Sequence, residues 1–129
     1  MKHIKKFNEN SKILSKVISI NDDIIKFDDG STLESHHEDS CCEKHYLSTS
    51  DLTMEDFDGL EFDLTNDDFF TRVPDYGIKL NPVKGLPVNI PGYGYNNGYY
   101  SDNLSLILRK SNGEFTEYDI TECQTLNEE

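Results

Sequence analysis

Short apolar runs alternate with polar turns along the chain, and the runs are too brief and too β-branched to read as helices. Leu14 to Ile20 is rich in Ile and Val, Asn21-Asp22-Asp23 reads as a turn, and Ile24-Ile25-Lys26-Phe27 as a short strand. Asp28-Asp29-Gly30 then turns the chain into Ser31-Thr32-Leu33-Glu34-Ser35. This predicts a three-stranded antiparallel meander whose tight turns fix its register. Thr49-Ser50-Asp51 offers cap residues for a short helix through Met54 to Phe57, which Gly59 ends. Leu60-Glu61-Phe62-Asp63-Leu64 alternates apolar with acidic residues, the period of a half-buried strand. Phe69 to Val73 and Tyr76 to Leu80 predict further strands, separated by Pro74-Asp75. Because Pro82, Pro87 and Pro91 punctuate the next passage, a strand at Val88-Asn89-Ile90 is expected to be short or at an edge. Leu104 to Lys110, Ser111-Asn112-Gly113 and Glu114 to Thr121 form the clearest hairpin.

The expected fold class is therefore mainly β, shading into α+β: an antiparallel sheet of short strands with one or two short helices. The expected organisation is one ligand-binding domain over residues 13–121, between a flexible arm at 1–12 and a disordered acidic tail at 122–129. Many short strands leave edges, and pairing an edge with a second copy predicts a homo-oligomer.

Composition narrows the function. The chain has no Trp, so burial leans on seven Phe and seven Tyr. No run of ~18 apolar residues exists, and Met1-Lys2-His3-Ile4-Lys5-Lys6 lacks the apolar core of a signal peptide, which predicts a soluble intracellular protein away from the membrane. Three cysteines, two of them adjacent at Cys41-Cys42, suit reduced thiols better than a disulfide framework. The net charge of -13 is uneven. Residues 21–70 hold sixteen Asp and Glu against two Lys, whereas residues 71–110 hold five Lys and Arg against two Asp. The total charge disfavours DNA or RNA as partners, and the basic segment is where an anionic ligand belongs.

That basic segment contains Pro91-Gly92-Tyr93-Gly94-Tyr95-Asn96-Asn97-Gly98-Tyr99-Tyr100-Ser101-Asp102, with four of the seven Tyr and three of the eight Gly. Glycine allows close backbone approach, tyrosine offers a flat face with a hydroxyl, and asparagine amides both donate and accept. These are the parts of a nucleotide or sugar pocket, and equally those of a hairpin with a type I′ turn at Asn97-Gly98. A second cluster, His36-His37-Glu38-Asp39-Ser40-Cys41-Cys42-Glu43-Lys44-His45, holds zinc-type ligands. No second ligand pair follows it, Cys123 stands alone, and adjacent cysteines on a strand face opposite ways, so no metal or other cofactor is expected. The Pro-Cys-x-x-Cys of zinc deaminases is absent, and no catalytic residues emerge.

Three segments in order, Ile24 to Ser35, His37 to Glu43 and Ile90 to Leu104, resemble the phage Thoeris anti-defence signal-sponge family over roughly residues 13 to 121. The chain departs from that pattern at Asp39-Ser40-Cys41, where an acidic residue directly before the cysteine pair is expected. The resemblance implies a binding protein and no enzyme. It would capture the cyclic ADP-ribose isomer, glycocyclic ADP-ribose, made by a host TIR-domain enzyme, and withhold it intact in the cytoplasm of the infected bacterial host. It also implies homodimers, in some members hexamers, and in some members separate sites for cyclic oligonucleotides. Within the matched region the chemistry such a ligand needs points to Phe70, Tyr99 or Tyr100 for stacking, Asn96 and Asn97 for ribose hydroxyls, and Arg72, Arg109 or Lys110 for phosphates. A rival reading takes the acidic run from residue 22 to 68 as a DNA mimic, or as a protein-protein inhibitor of a host defence protein.

Overall fold

The structure, a computed structural model, describes residues 14–37, 44–95 and 103–126. Among the described residues ten strands follow in chain order: β1 (Val17–Asn21), β2 (Ile24–Phe27), β3 (Thr32–His36), β4 (Lys44–Leu47), β5 (Phe70–Val73), β6 (Gly77–Leu80), β7 (Val88–Tyr95), β8 (Ser105–Arg109), β9 (Phe115–Asp119) and β10 (Thr125–Leu126). They form two five-stranded sheets. The first runs β1-β2-β3-β8-β9, and the second β10-β7-β6-β5 with β4 paired to β7. Every pairing is antiparallel except that of β10 with β7.

The meander and the final hairpin form as their patterns predict. Asp22 and Asp23 both take positive φ, the geometry of a two-residue hairpin turn that aspartate tolerates. Period-two alternation then aims one face of each sheet inward. Ile25, Phe27, Leu33, Leu106 and Leu108 from the first sheet meet Leu47, Phe70, Ile78, Leu80 and Ile90 from the second in one continuous core. Phe57, Phe62 and Phe69, from the connection between β4 and β5, fill the space between the sheets. Each such side chain contributes roughly 1.5–3 kcal/mol by leaving water.

Four elements differ from expectation. The helix at Met54–Phe57 is a single 3-10 turn capped by Thr53 and Asp56. Leu60 to Leu64 makes no strand: Phe62 forms only an isolated bridge to Ser15, and the buried Asp63 accepts from Thr65 Oγ1 and N–H, which turns the chain away. β7 is eight residues long and central, although it contains Pro91. Gly92 N–H bonds toward β6, at Tyr76 O, so Pro91 directs its missing donor to the other edge, where β4 pairing stops at Leu47↔Gly92. Regular structure also continues past residue 121, through a 3-10 turn at Thr121–Cys123 into β10, with Cys123 and Gln124 buried.

Gly77 has φ +151, and a Cβ there would land on Ile90 O. Gly113 has φ +96 but faces open space. Gly77→Ala is expected to cost about 3 kcal/mol or more in denaturant unfolding, against about 1 kcal/mol for Gly113→Ala, where only backbone strain acts. Equal costs would show that close approach at Gly77 does not matter.

Candidate ligand site

β3 ends and β8 begins as a pair, His36↔Ser105, while β4 begins and β7 ends as another, Lys44↔Tyr95. The two pairs lie at the same end of the sandwich, because Leu47 N–H bonds to Ser35 Oγ and the rings of His37 and His45 meet at a tilt of 49° with centroids 4.4 Å apart. His37 Nδ1–H donates to Asn103 O at 2.6 Å. Residues flanking the His/Cys segment therefore touch those flanking the Tyr/Asn/Gly segment. Sequence alone gave no reason to join the two.

This end is built on the stretch of β7's inner face at Gly92 and Gly94, which carries no side chains. A Cβ on Gly92 would come within 3.1 Å of Cys123 O and 3.3 Å of Leu47 Cδ2, and one on Gly94 would strike Gln124 and His45. His45, buried on β4, donates from Nδ1 to Gln124 Oε1, and Gln124 Nε2 donates to Thr121 O at 3.1 Å. On the outer face the cross-strand pair Tyr46↔Tyr93 places two rings 5.7 Å apart. Their exposures, 39% and 36%, leave ring surface open to a ligand.

The expected site residues divide. Asn96, Asn97, Tyr99 and Tyr100 lie outside the described residues. Phe70 is a core residue packed edge-on against Tyr118, with centroids 5.0 Å apart, and the Arg72 guanidinium lies 5.2 Å from its ring centre. Arg72 itself is exposed and bridges the sheets, its Nε–H donating to Asp119 O at 2.8 Å. Since Asp119 pairs with Ser105, this places Arg72 near the point where the chain re-enters the sheet at Asn103. Arg109 pairs with Thr32 at the far end of β8, roughly 13 Å from Ser105 at the rise of a strand, and its guanidinium lies 5.3 Å from the Phe115 ring centre. Lys110 follows at the β8–β9 turn. The structure thus keeps Arg109 and Lys110 apart from Arg72, at opposite ends of the sandwich.

A cleft of about 510 Å³ opens beside Tyr76, walled by Leu52, Leu60 and Pro87 and rimmed by Asp51, Asp56 and Asp58. Its carboxylates repel a phosphate, so size alone does not make it the anion site. Burial, reinforced by Tyr93 and Asp51, raises the Tyr76 phenol above its usual value. Among the described residues no three His, Cys, Asp or Glu side chains gather as metal ligands, and no helix is long and apolar enough to cross a membrane. Comparison with family models, with curated proteins and with solved structures returned no match.

The Thr121 hydroxyl, 2.6 Å from Asp119 Oδ1, together with the Thr121 N–H lowers the Asp119 carboxyl below its ordinary value. A depressed folded value stabilises the fold above the ordinary carboxylate range, and that contribution is lost as pH falls through the folded value. Thr121→Ala is expected to move the Asp119 midpoint upward in an NMR titration, and an unmoved midpoint would remove the hydrogen bond as its cause. Burial likewise raises the Cys123 thiol, the dominant influence on it. Peptide mapping after thiol labelling at pH 8 should find Cys123 unmodified until the protein is unfolded; labelling of the native protein would contradict its burial.

Proposed function

We propose that the protein is a binding protein that sequesters glycocyclic ADP-ribose without cleaving it, and so silences bacterial Thoeris immunity from the cytoplasm of an infected host. The observation that carries the reading is the meeting of the flanks of the two family-like segments at one end of the sandwich, through His37 and Asn103 and through Lys44 and Tyr95. A cyclic dinucleotide-sized ligand needs a stacking face, cations for its pyrophosphate and polar groups for its riboses. In this reading the exposed Tyr46–Tyr93 pair is the stacking face, Arg72 the cation, and the Tyr/Asn/Gly sequence that follows β7 the source of polar groups.

Arg72 is the cation this geometry favours. Its Nε is taken by Asp119 O, and its terminal nitrogens retain the forked donors that suit a phosphate. Arg109 and Lys110 contribute in this reading only where a second copy brings its hairpin end to the site, as a homodimer or hexamer permits. Cyclic oligonucleotides are a further ligand class within the same proposal. The acidic cleft at Asp51, Asp56 and Asp58 favours a second reading, inhibition of a host protein through a basic surface of that partner.

The test is to mix the purified protein with glycocyclic ADP-ribose, remove free ligand by filtration, denature by heat and quantify what is released by chromatography. Near-stoichiometric intact ligand is the expected result. Arg72→Ala, checked for folding by circular dichroism, should weaken binding by ~10-fold or more, the loss of one charge-assisted contact. Arg109→Ala should leave affinity within about threefold if the site lies within one protomer, and a tenfold loss there would assign the hairpin end of a partner copy to it. No retained ligand would overturn the reading and turn attention to a basic protein partner.

A further inference from the structure

A second cavity, of about 250 Å³, opens at the end remote from the loops just described, under the β2–β3 and β8–β9 turns. Gly30, at φ +91, allows those turns to touch, since a Cβ there would come 2.8 Å from Ser111 Cβ. The floor is apolar, made by Leu64 and Leu108. Above it stands Ser31, only 5% exposed, on the inward face of the sheet in line with Leu33. Its backbone N–H is used by Asp29 Oδ1 and its carbonyl by Phe27 N–H, but no described residue hydrogen-bonds its hydroxyl. Its side chain lines the cavity, where the hydroxyl is open to exchange a hydrogen bond with a polar group from outside.

The mouth carries one positive and one negative group, Lys110 and Asp29. Asp29 spends its two oxygens on Ser31 N–H and on Ser15 Oγ, yet a carboxylate oxygen accepts more than one hydrogen bond. Lys110 makes no ion pair among the described residues. Asn112 uses its Oδ1 for Glu114 N–H, and Ser111 adds a hydroxyl. The lining charges cancel within a chain of net charge -13, so an anion gains little here, and every polar group offered is one that hydroxyls can meet as donor or acceptor.

We propose that this cavity binds a neutral, hydroxyl-rich ring of monosaccharide size, its carbon face on Leu64 and Leu108 and its hydroxyls on Ser31, Asp29, Lys110 and Asn112. The proposal is independent of the sequestration reading, because the cavity and the loops occupy opposite ends of β8 and β3.

The experiment is an amide NMR titration of the full chain with D-glucose and D-ribose, with glucose 6-phosphate and glycine as charged comparisons. Saturable shifts confined to Ser31, Leu64, Leu108 and Ser111 and their neighbours are expected, with dissociation constants on the order of 1–10 mM. Ser31→Val, which fills the space and removes the hydroxyl, should weaken sugar binding by ~10-fold or more, and Ser31→Ala should weaken it in the same direction with no loss of thermal stability. The proposal is overturned by an absence of saturable shifts up to about 100 mM of either sugar, tenfold above that range. It is overturned equally by shifts that survive both Ser31 substitutions, or by tighter binding of glucose 6-phosphate or glycine than of both sugars.

Discussion

The bare inner face of β7 at Gly92 and Gly94 is the constraint on which the loop end of the molecule depends. Cys123 and Gln124 pack into the space those glycines leave, and His45 reaches across to Gln124 from the neighbouring strand. With side chains at those two positions β10 could not lie parallel to β7 at its Thr125↔Tyr93 register, and His45 would be displaced from Gln124. Close packing is unforgiving at this scale, since interiors leave few gaps that a methyl group could enter. The consequence reaches the surface, because β4 aligned by this contact carries Tyr46 to Tyr93 on the outer face.

The side of the sandwich at β5 and β9 closes by different means. There β5 and β9 are edge strands of separate sheets, joined by no ladder. Phe69, Phe70 and Tyr118 pack edge to face between them, with Tyr118 also donating to Asp67 and Arg72 donating to Asp119 O. Burial, with Asp67 beside it, raises the Tyr118 phenol, as suits a hydroxyl that must keep its proton to donate. Arg72 thereby acquires two demands. It ties the sheets together and, in the proposed function, presents its remaining donors to a phosphate.

Much of the fold was legible because it is local. The Asn21-Asp22-Asp23 and Ser111-Asn112-Gly113 turns announce their hairpins, and alternation from Ile24 to Ser35 sets which residues face inward. What was not legible depended on contacts between distant residues. Pro91 argues against a central strand until it is known that its nitrogen faces the edge where β4 has ended. Thr125-Leu126 lacks any strand pattern of its own and is held by Gly92 and Gly94 thirty residues earlier. Leu60 to Leu64 had the right alternation, but Asp63 turned inward to bond Thr65 and spoiled it. For the site, residue types suggested Arg72, Arg109 and Lys110 alike, and only the strand register separates the first from the other two. The polar cavity under the hairpin turns had no signal in the sequence, since Ser31 gains its meaning from Leu64 and Asn112 folding over it.

The central claim is that ligand binding is a property of the end where His37 meets Asn103. Hydrogen–deuterium exchange of the whole chain with and without glycocyclic ADP-ribose tests this most directly, because it reports protection segment by segment without a substitution. The account predicts slowed exchange across residues 37–46 and 92–105, with residues 28–31 and 110–114 unchanged in a site formed by one protomer. Protection confined to the hairpin turns, or to the acidic cleft around Asp51 and Asp58, would contradict it.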